Sequence, residues 1–326
     1  MTRMNAVLTD YSFPDLNPEL AILEPAGIHL EAAQCKTEDE VAALCKNADF
    51  VITQFAPVKQ KAVEAMQKAK IIVRYGIGVD NVDLAAAASR GVPVCNVPDY
   101  CIDEVADHTL AMLLALTRSV VPNWDVIRHE RQWRLPVPLS SMRALKNMTV
   151  GLVAYGRIAR EVALRLKPFK CRVIVFDPAV APEKIKADGF EPVSLETLLS
   201  SSDAVSLHCP STPKTRHLLC TETFSRMKNG VIVVNAGRGD LIRGGDLIEA
   251  LKSGRVGAAG LDVTEPEPLP ADSPLLAMPN VIVSPHVASA SVAAVDYLRA
   301  SVAQMVVDRS QGKPLRNVVN GVAIPH

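Results

Sequence analysis

Residues 149–178, TVGLVAYGRIAREVALRLKPFKCRVIVFDP, constrain this chain more than any other stretch. Val150 to Val153 is a short apolar run suited to a buried strand. A turn of small residues follows, Ala154-Tyr155-Gly156-Arg157-Ile158-Ala159, and Ile158, Val162 and Leu166 then recur at helical spacing. Val173 to Phe176 reads as a second buried strand, with Asp177 at its end. Strand, tight turn, helix, strand, acid is the layout of a βαβ unit that can hold a dinucleotide. Small residues permit the sharp turn, let the backbone reach the pyrophosphate and let helix and strand pack closely. The helix N-terminus offers N–H groups and a positive dipole end to phosphate. Gly156 stands at the pyrophosphate position and Ala159 at the packing position, whereas Ala154 occupies the place where the turn ordinarily takes glycine. A ligand-free crossover would share this turn, and the acid separates the two readings. A carboxylate accepts from a ribose diol and repels a 2′-phosphate, and no Arg directly follows Asp177, so NAD is expected rather than NADP.

The 326 residues are enough for two domains. With 35 basic and 35 acidic side chains the chain has no broad basic field for nucleic acid or an acidic membrane. The most basic segment, Arg128 to Arg134, is short and contains Glu130, as a solvated helix end would. No apolar stretch reaches membrane-spanning length, and MTRMNAVLTD has no long apolar core, so neither a span nor a leader is expected. The seven cysteines form no C-x-x-C pair, which suits free thiols in a reducing cytosol and no metal site.

Along the first hundred residues strands and helices alternate. Strands are expected near Ala6–Leu8, Ile28–Ala32, Asp49–Thr53, Ile71–Arg74 and Val92–Asn96. A capping box at Thr37–Glu40 opens a helix through Cys45, a second helix spans Pro57–Ala69, and an Ala-rich third stops at Gly91. This alternation implies an α/β, flavodoxin-like parallel sheet over residues 1–103. A strong helix, Asp103 to Arg118, leads to an irregular connection over 124–148 and then the dinucleotide unit. Further strands are expected at Ala204–Leu207, Val231–Asn235, Gly257–Val263 and Val281–Ser284, with helices such as Thr221–Met227 and Asp246–Ser253 between them. A long helix from Ser291 to about Ser310 returns the chain to the first domain. The expected organisation is therefore two parallel-sheet domains with a cleft between them: residues 1–103 with 291–326 for substrate, and an inserted dinucleotide-binding Rossmann domain, 104–290.

Ligands of open parallel sheets bind beyond the carboxyl ends of the strands. There the sequence places His208-Cys209-Pro210, Asn235-Ala236-Gly237-Arg238-Gly239, the segment Asp262 to Pro268, and Ser284-Pro285-His286. Arg238 between two glycines can fork onto a carboxylate, His286 suits proton transfer near neutral pH, and Glu267 can fix the tautomer of such a histidine. Each also has an ordinary reading, as a helix cap, a structural strand-end histidine or an exposed turn acid. Gly76-Ile77-Gly78, just past a strand and after Arg74, can form an anion-binding nest or a plain turn.

The segments VGLVAYGRIAR with FDP, HCPSTPKTRHLL, NAGRGDLI, AAGLDVTEPEPL and SPHVAS together resemble the NAD-dependent D-isomer-specific 2-hydroxyacid dehydrogenases, and the likeness spans nearly the whole chain. VRYGIGVDNVDL and VCNVPDYCIDEVADHTLAMLL look like the branch holding C-terminal binding proteins and phosphoglycerate dehydrogenase-like enzymes. The resemblance implies that Arg238 binds and polarises a 2-keto acid and that Glu267 pairs with His286, the general acid/base. Arg74, Ile77 and Gly78 would hold the substrate carboxylate. Gly156, Arg157 and Ile158 would meet the pyrophosphate and Asp177 the adenine ribose. His208, Cys209, Pro210 and Thr215 would line the adenosine side, with Thr109, Asn235, Ala236 and Asp262 around the nicotinamide half, which Arg238 and His286 also face. Ser289 departs from the Trp of the C-terminal binding proteins. The expected function is hydride transfer between NAD(H) and a small 2-keto or 2-hydroxy acid in a cytoplasmic homodimer. The alternative is an NAD(H)-sensing, dimerising interaction protein.

Overall fold

A computed structural model describes residues 4–323. In chain order its first elements are β1 (Met4–Leu8), α1 (Asn17–Leu23), β2 (Ile28–Ala32), α2 (Glu38–Cys45), β3 (Phe50–Thr53), α3 (Gln60–Ala65), β4 (Ile72–Arg74), α4 (Leu84–Ser89) and β5 (Val94–Cys95). Then come α5 (Ile102–Thr117), α6 (Val120–Asp125), β6 (Thr149–Val153), α7 (Arg157–Leu166), β7 (Arg172–Phe176), α8 (Pro182–Ala187), β8 (Glu191–Pro192) and α9 (Leu195–Ser201). The chain closes with β9 (Ala204–Leu207), α10 (Thr221–Arg226), β10 (Val231–Asn235), α11 (Gly244–Lys252), β11 (Val256–Leu261), β12 (Val281–Val283) and α12 (Val292–Ser310). The chain divides into two compact units, 1–101 with 291–326, and 102–290.

The first unit holds a five-stranded parallel sheet in the order β2-β1-β3-β4-β5, the flavodoxin-like arrangement. Side chains alternate as a pleat requires. Ala6, Leu8, Phe50 and Ile52 face one core with Leu298, Val302 and Val306 of α12. Val7 and Val51 face the other, with Val41, Val63 and Ala87 of α2, α3 and α4. The capping box forms: Glu40 N–H donates to Thr37 Oγ1, and Thr37 N–H donates to Glu40 Oε2. The helix expected over 57–69 is shorter because Val58 makes a bridge with Val82, its N–H donating to Asn81 O and its carbonyl accepting from Asp83. A helical turn cannot share those groups. Buried Glu19 and Arg299 tie α1 to α12 through bonds of 2.8 and 2.6 Å, and the Tyr75 hydroxyl donates to Glu19 at 3.0 Å.

The second unit holds a seven-stranded parallel sheet, β12-β11-β10-β9-β6-β7-β8. Counted from β6 this is the doubly wound order 3-2-1-4-5-6 with a seventh strand added. Val150, Leu152, Val173 and Val175 point to the core shared with α5 and α7, whereas Val153, Ile174, Val205 and Val233 point to the core under α9, α10 and α11. Burying each such side chain contributes about 1.5–3 kcal/mol. A Cβ at Gly151 would lie 2.3 Å from Ser202 Oγ and 2.8 Å from Leu198 Cγ, so this glycine lets α9 rest on β6. The 124–148 connection continues α6 into a wide turn, Val126–Glu130, with short 3-10 turns at Leu139–Ser141 and Leu145–Asn147. No single described helix is long and apolar enough to cross a membrane, and the seven cysteines are free thiols.

Candidate active site

Every strand of the second sheet is parallel, so its carboxyl ends share one edge, and the expected polar residues lie there. Ala154 takes φ 80°, the left-handed value the turn demands and the one a glycine ordinarily supplies. Tyr155 N–H donates to Asp177 Oδ2 at 2.7 Å, which ties the turn to the end of β7. The other Asp177 oxygen accepts from Ala179 and Val180 N–H. Gly156 is the N-cap of α7, which has no side-chain cap, and nothing lies within 4 Å of where a Gly156 Cβ would be. The space beside Gly156 at this helix N-terminus suits an anion. This open cradle and the acid at the end of β7 fit the pyrophosphate and ribose of NAD.

His208 N–H donates to Val153 O, and its Nε2 lies 2.9 Å from Ser206 Oγ. Desolvation pulls the imidazole down to about 4, so it is neutral in the ordinary pH range. Cys209 is buried, and desolvation pushes its thiol up to about 11. Thr215 Oγ1 donates to Pro210 O at 2.6 Å, closing the turn that follows.

Asn235 is fully buried and shapes the next turn: its Nδ2 donates to Arg238 O at 2.8 Å and its Oδ1 accepts from Gly237 N–H at 3.0 Å. Arg238 NH1 donates to Gly237 O at 2.8 Å, with Ala236 at the head of the same turn. A Cβ at Gly239 would lie 1.9 Å from Thr264 O, so the Arg238 turn rests directly on the peptide leading to Glu267.

Glu267 Oε1 lies 2.6 Å from His286 Nδ1. An ionised carboxylate only accepts, so Nδ1 carries the hydrogen of this bond and Nε2 is left for other chemistry. Burial pushes the Glu267 carboxyl up, but its bond to His286, the Thr264 backbone and the nearby Arg238 outweigh this and hold it below the usual range. His286 has φ 54°. Asp262, only 2% exposed, holds that conformation from below. Its carbonyl accepts from His286 N–H, and its carboxylate accepts from Val287 and Ala288 N–H, each at 2.9 Å, and from Ser284 Oγ at 2.5 Å.

Thr109 is 1% exposed and its hydroxyl donates to Val105 O within α5, and the Asn235 amide is committed to the Arg238 turn. Arg74, Ile77 and Gly78 belong to the first unit. There Arg74 Nε donates to Gln54 O, its guanidinium lies 5.8 Å from the Phe55 ring, and Asn96 Nδ2 donates to Ile77 O. Gly76, at φ 131°, makes room for the Arg74 guanidinium. Sequence reasoning missed His108 and His217. His108 Nε2 meets Ser284 Oγ at 3.0 Å, completing a His108–Ser284–Asp262 chain beneath His286. Its only signal was a histidine inside the apolar helix α5.

The D-isomer specific 2-hydroxyacid dehydrogenase NAD binding domain model matches residues 110–288. The chain is 36% identical over 295 residues to a D-3-phosphoglycerate dehydrogenase of Archaeoglobus fulgidus, covering 90% of this chain and 55% of that protein. It is 37% identical to a glyoxylate reductase of Korarchaeum cryptofilum, covering 84% of this chain and 83% of the relative. Its structure superposes with a TM-score of 0.83 on the D-lactate dehydrogenase of Aquifex aeolicus complexed with NAD and lactic acid, at 26% identity over 94% of this chain and 96% of the other. The chain thus belongs to the D-isomer-specific 2-hydroxyacid dehydrogenases, a family whose nucleotide domain binds NAD. NAD is accordingly its cofactor. The chain spans about half the length of the phosphoglycerate dehydrogenases it matches.

Proposed function

We propose that this chain catalyses reversible hydride transfer between NAD(H) and a small D-2-hydroxy or 2-keto acid. The observation that carries the reading is the 2.6 Å Glu267–His286 pair, on the loop after β11 and the turn after β12, beside the Arg238 turn. In this reading the 102–290 unit takes the cofactor, and the unit made of 1–101 and 291–326 takes the acid. Arg74 and the Ile77–Gly78 turn receive the substrate carboxylate there.

When bound, the nicotinamide supplies or accepts the hydride. Reduction of a keto acid builds negative charge on the carbonyl oxygen, which the Arg238 guanidinium stabilises. His286 delivers a proton from Nε2 to that oxygen, while Glu267 holds Nδ1–H and keeps the ring aimed. Asp262 fixes the backbone beneath the ring. In the reverse direction His286 takes the hydroxyl proton.

A homodimer in the cytoplasm is part of the proposal. Trp124, Trp133, Leu135 and Leu139, all in the α6 region and the connection after it, are exposed, Trp133 to 93%. Exposed apolar side chains of this kind suit an interface between copies, and light scattering would give the mass in solution.

The activity is tested with NADH and a panel of glyoxylate, hydroxypyruvate, pyruvate and bulkier keto acids, following NADH absorbance. His286→Asn is expected to lower turnover by about 10²–10⁴-fold and to leave NADH binding intact. Turnover of the variant at the wild-type rate would refute the role given to His286. Silence across the panel, together with NADH-dependent dimerisation, would favour the sensor reading instead.

A further inference from the structure

One short loop carries two Glu–His pairs. Glu267 meets His286, and two residues earlier Glu265 Oε2 meets His217 Nε2 at 2.6 Å. The other Glu265 oxygen accepts from Arg216 NH2 at 2.8 Å. The second pair has no place in the reaction outlined above, yet it joins segments from three strand ends. His217 lies beyond β9, Glu265 beyond β11, and Arg243, just before α11, donates from Nε to His217 Nδ1 at 3.4 Å. With Nδ1 accepting from Arg243 and Nε2–H donating to Glu265, both ring nitrogens are used. His217 is fixed from behind as well, because its N–H donates to Asp240 O at 2.7 Å and its φ is 52°. Burial pushes the Glu265 carboxyl up, but His217 and Arg216 outweigh this and hold it below the usual range, so it is charged at neutral pH. The loop also has a backbone anchor, since the Arg238–Gly239 turn sits against the Thr264 carbonyl with no room for a Cβ.

We propose that Glu265, clamped by His217 and Arg216, is a positioning residue that fixes loop 264–268 against the 208–217 segment and the Arg238 turn, and so sets the aim of the Glu267–His286 pair. This rests on the acid/base reading of Glu267 and His286. Glu265 touches no reacting atom; it acts through Pro266, the single residue that separates it from Glu267. Its partners explain why the geometry is rigid. Moving the Glu265 carboxylate breaks bonds to two cationic or polar side chains at once, and the Thr264 peptide cannot retreat through the Arg238 turn.

The test compares Glu265→Gln, His217→Asn, Glu267→Gln and the Glu265→Gln/Glu267→Gln double variant of the full chain. Asparagine is chosen at 217 because it tolerates left-handed backbone while falling short of Glu265. Kinetics with NADH and the best keto acid, NADH titration calorimetry and amide deuterium exchange are measured for each. Glu265→Gln and His217→Asn are expected to lower kcat roughly ten- to a hundredfold, with the KM for NADH within about twofold of wild type. The double variant is expected to be no slower than Glu267→Gln alone, because residues acting through one another are not additive. Exchange at 264–267 and 286–288 is expected to rise in both single variants. Additive losses in the double variant, or unchanged exchange at both segments in Glu265→Gln, would overturn the positioning role. An unchanged kcat in Glu267→Gln would instead overturn the acid/base reading, and the positioning role with it.

Discussion

Ala154 offers the sharpest test of how this nucleotide turn is built. A non-glycine residue at φ 80° is strained, by about 1–2 kcal/mol for left-handed backbone. Ala154→Gly removes that strain. It also frees the unfolded chain, which costs about 0.4–1 kcal/mol. The alanine methyl is half-buried against the core under α9 and α10, and losing part of its burial costs about 0.4 kcal/mol, half of a fully buried CH₂. The balance runs from about 0.4 kcal/mol against glycine to about 1.2 kcal/mol in its favour. Ala154→Val puts a β-branched side chain at the same φ and is expected to destabilise by at least about 2 kcal/mol. Urea unfolding of the three proteins, followed by fluorescence, is expected to place Gly close to or above Ala, with Val far below. A turn that keeps this backbone when NADH binds carries the same strain in both states, so calorimetric NADH affinity of the glycine variant is expected to stay within about threefold of wild type, under 1 kcal/mol. A glycine variant less stable than wild type by more than about 1 kcal/mol, or a tolerated valine, would refute the reasoning. So would tenfold tighter NADH binding by the glycine variant, which would show that the strain is relieved on taking up cofactor.

Other expectations follow from the same sheet edge. His208 is depressed to about 4 by burial, so between pH 6.5 and 4 the unfolded chain binds its proton and the folded chain does not; stability falls as pH falls through that window, by at most about 3 kcal/mol. His208→Gln is expected to flatten that part of a stability–pH curve, and an unchanged slope would contradict the burial argument. Asp262→Asn turns one acceptor into a donor facing Val287 or Ala288 N–H, leaving a buried donor unpaired at a cost of about 1–3 kcal/mol. Its unfolding midpoint and kcat are expected to fall together, and a variant with wild-type values of both would exclude the supporting role given to Asp262.

Strands such as Ala204–Leu207 and Val231–Asn235 were legible because each is an apolar run of four or five residues closed by turn residues, whereas the two-residue β8, Glu191–Pro192, is too short and too polar to signal itself. Parallel order followed from the alternation with helices, and the strand ends then indicated where polar residues gather. The helix at 57–69 was overextended because composition cannot show that Val58 is bonded to a segment more than twenty residues away. Thr109 and Asn235 show what residue type alone does not carry, namely that the hydroxyl also bonds Val105 O and the amide also shapes the Arg238 turn. His217 and Glu265 stand 48 residues apart in the chain and meet only because two loops share a sheet edge. Their spacing carries no signal, although both lie in segments that looked distinctive as sequence.

The buried Glu19–Arg299 bond has a consequence for the order in which the protein can be made. Its partners stand 280 residues apart, and the α12 side chains Leu298, Val302 and Val306 complete the core around β1 and β3. On a ribosome, β1 to β5 emerge first but lack that helix. The intervening 102–290 unit is continuous and carries its own two cores, so it can close while the earlier strands wait. At about 5–20 residues per second, the wait lasts on the order of 10–40 s. During that interval the apolar face of an unfinished parallel sheet stays exposed, and helpers that shield nascent chains have their target there.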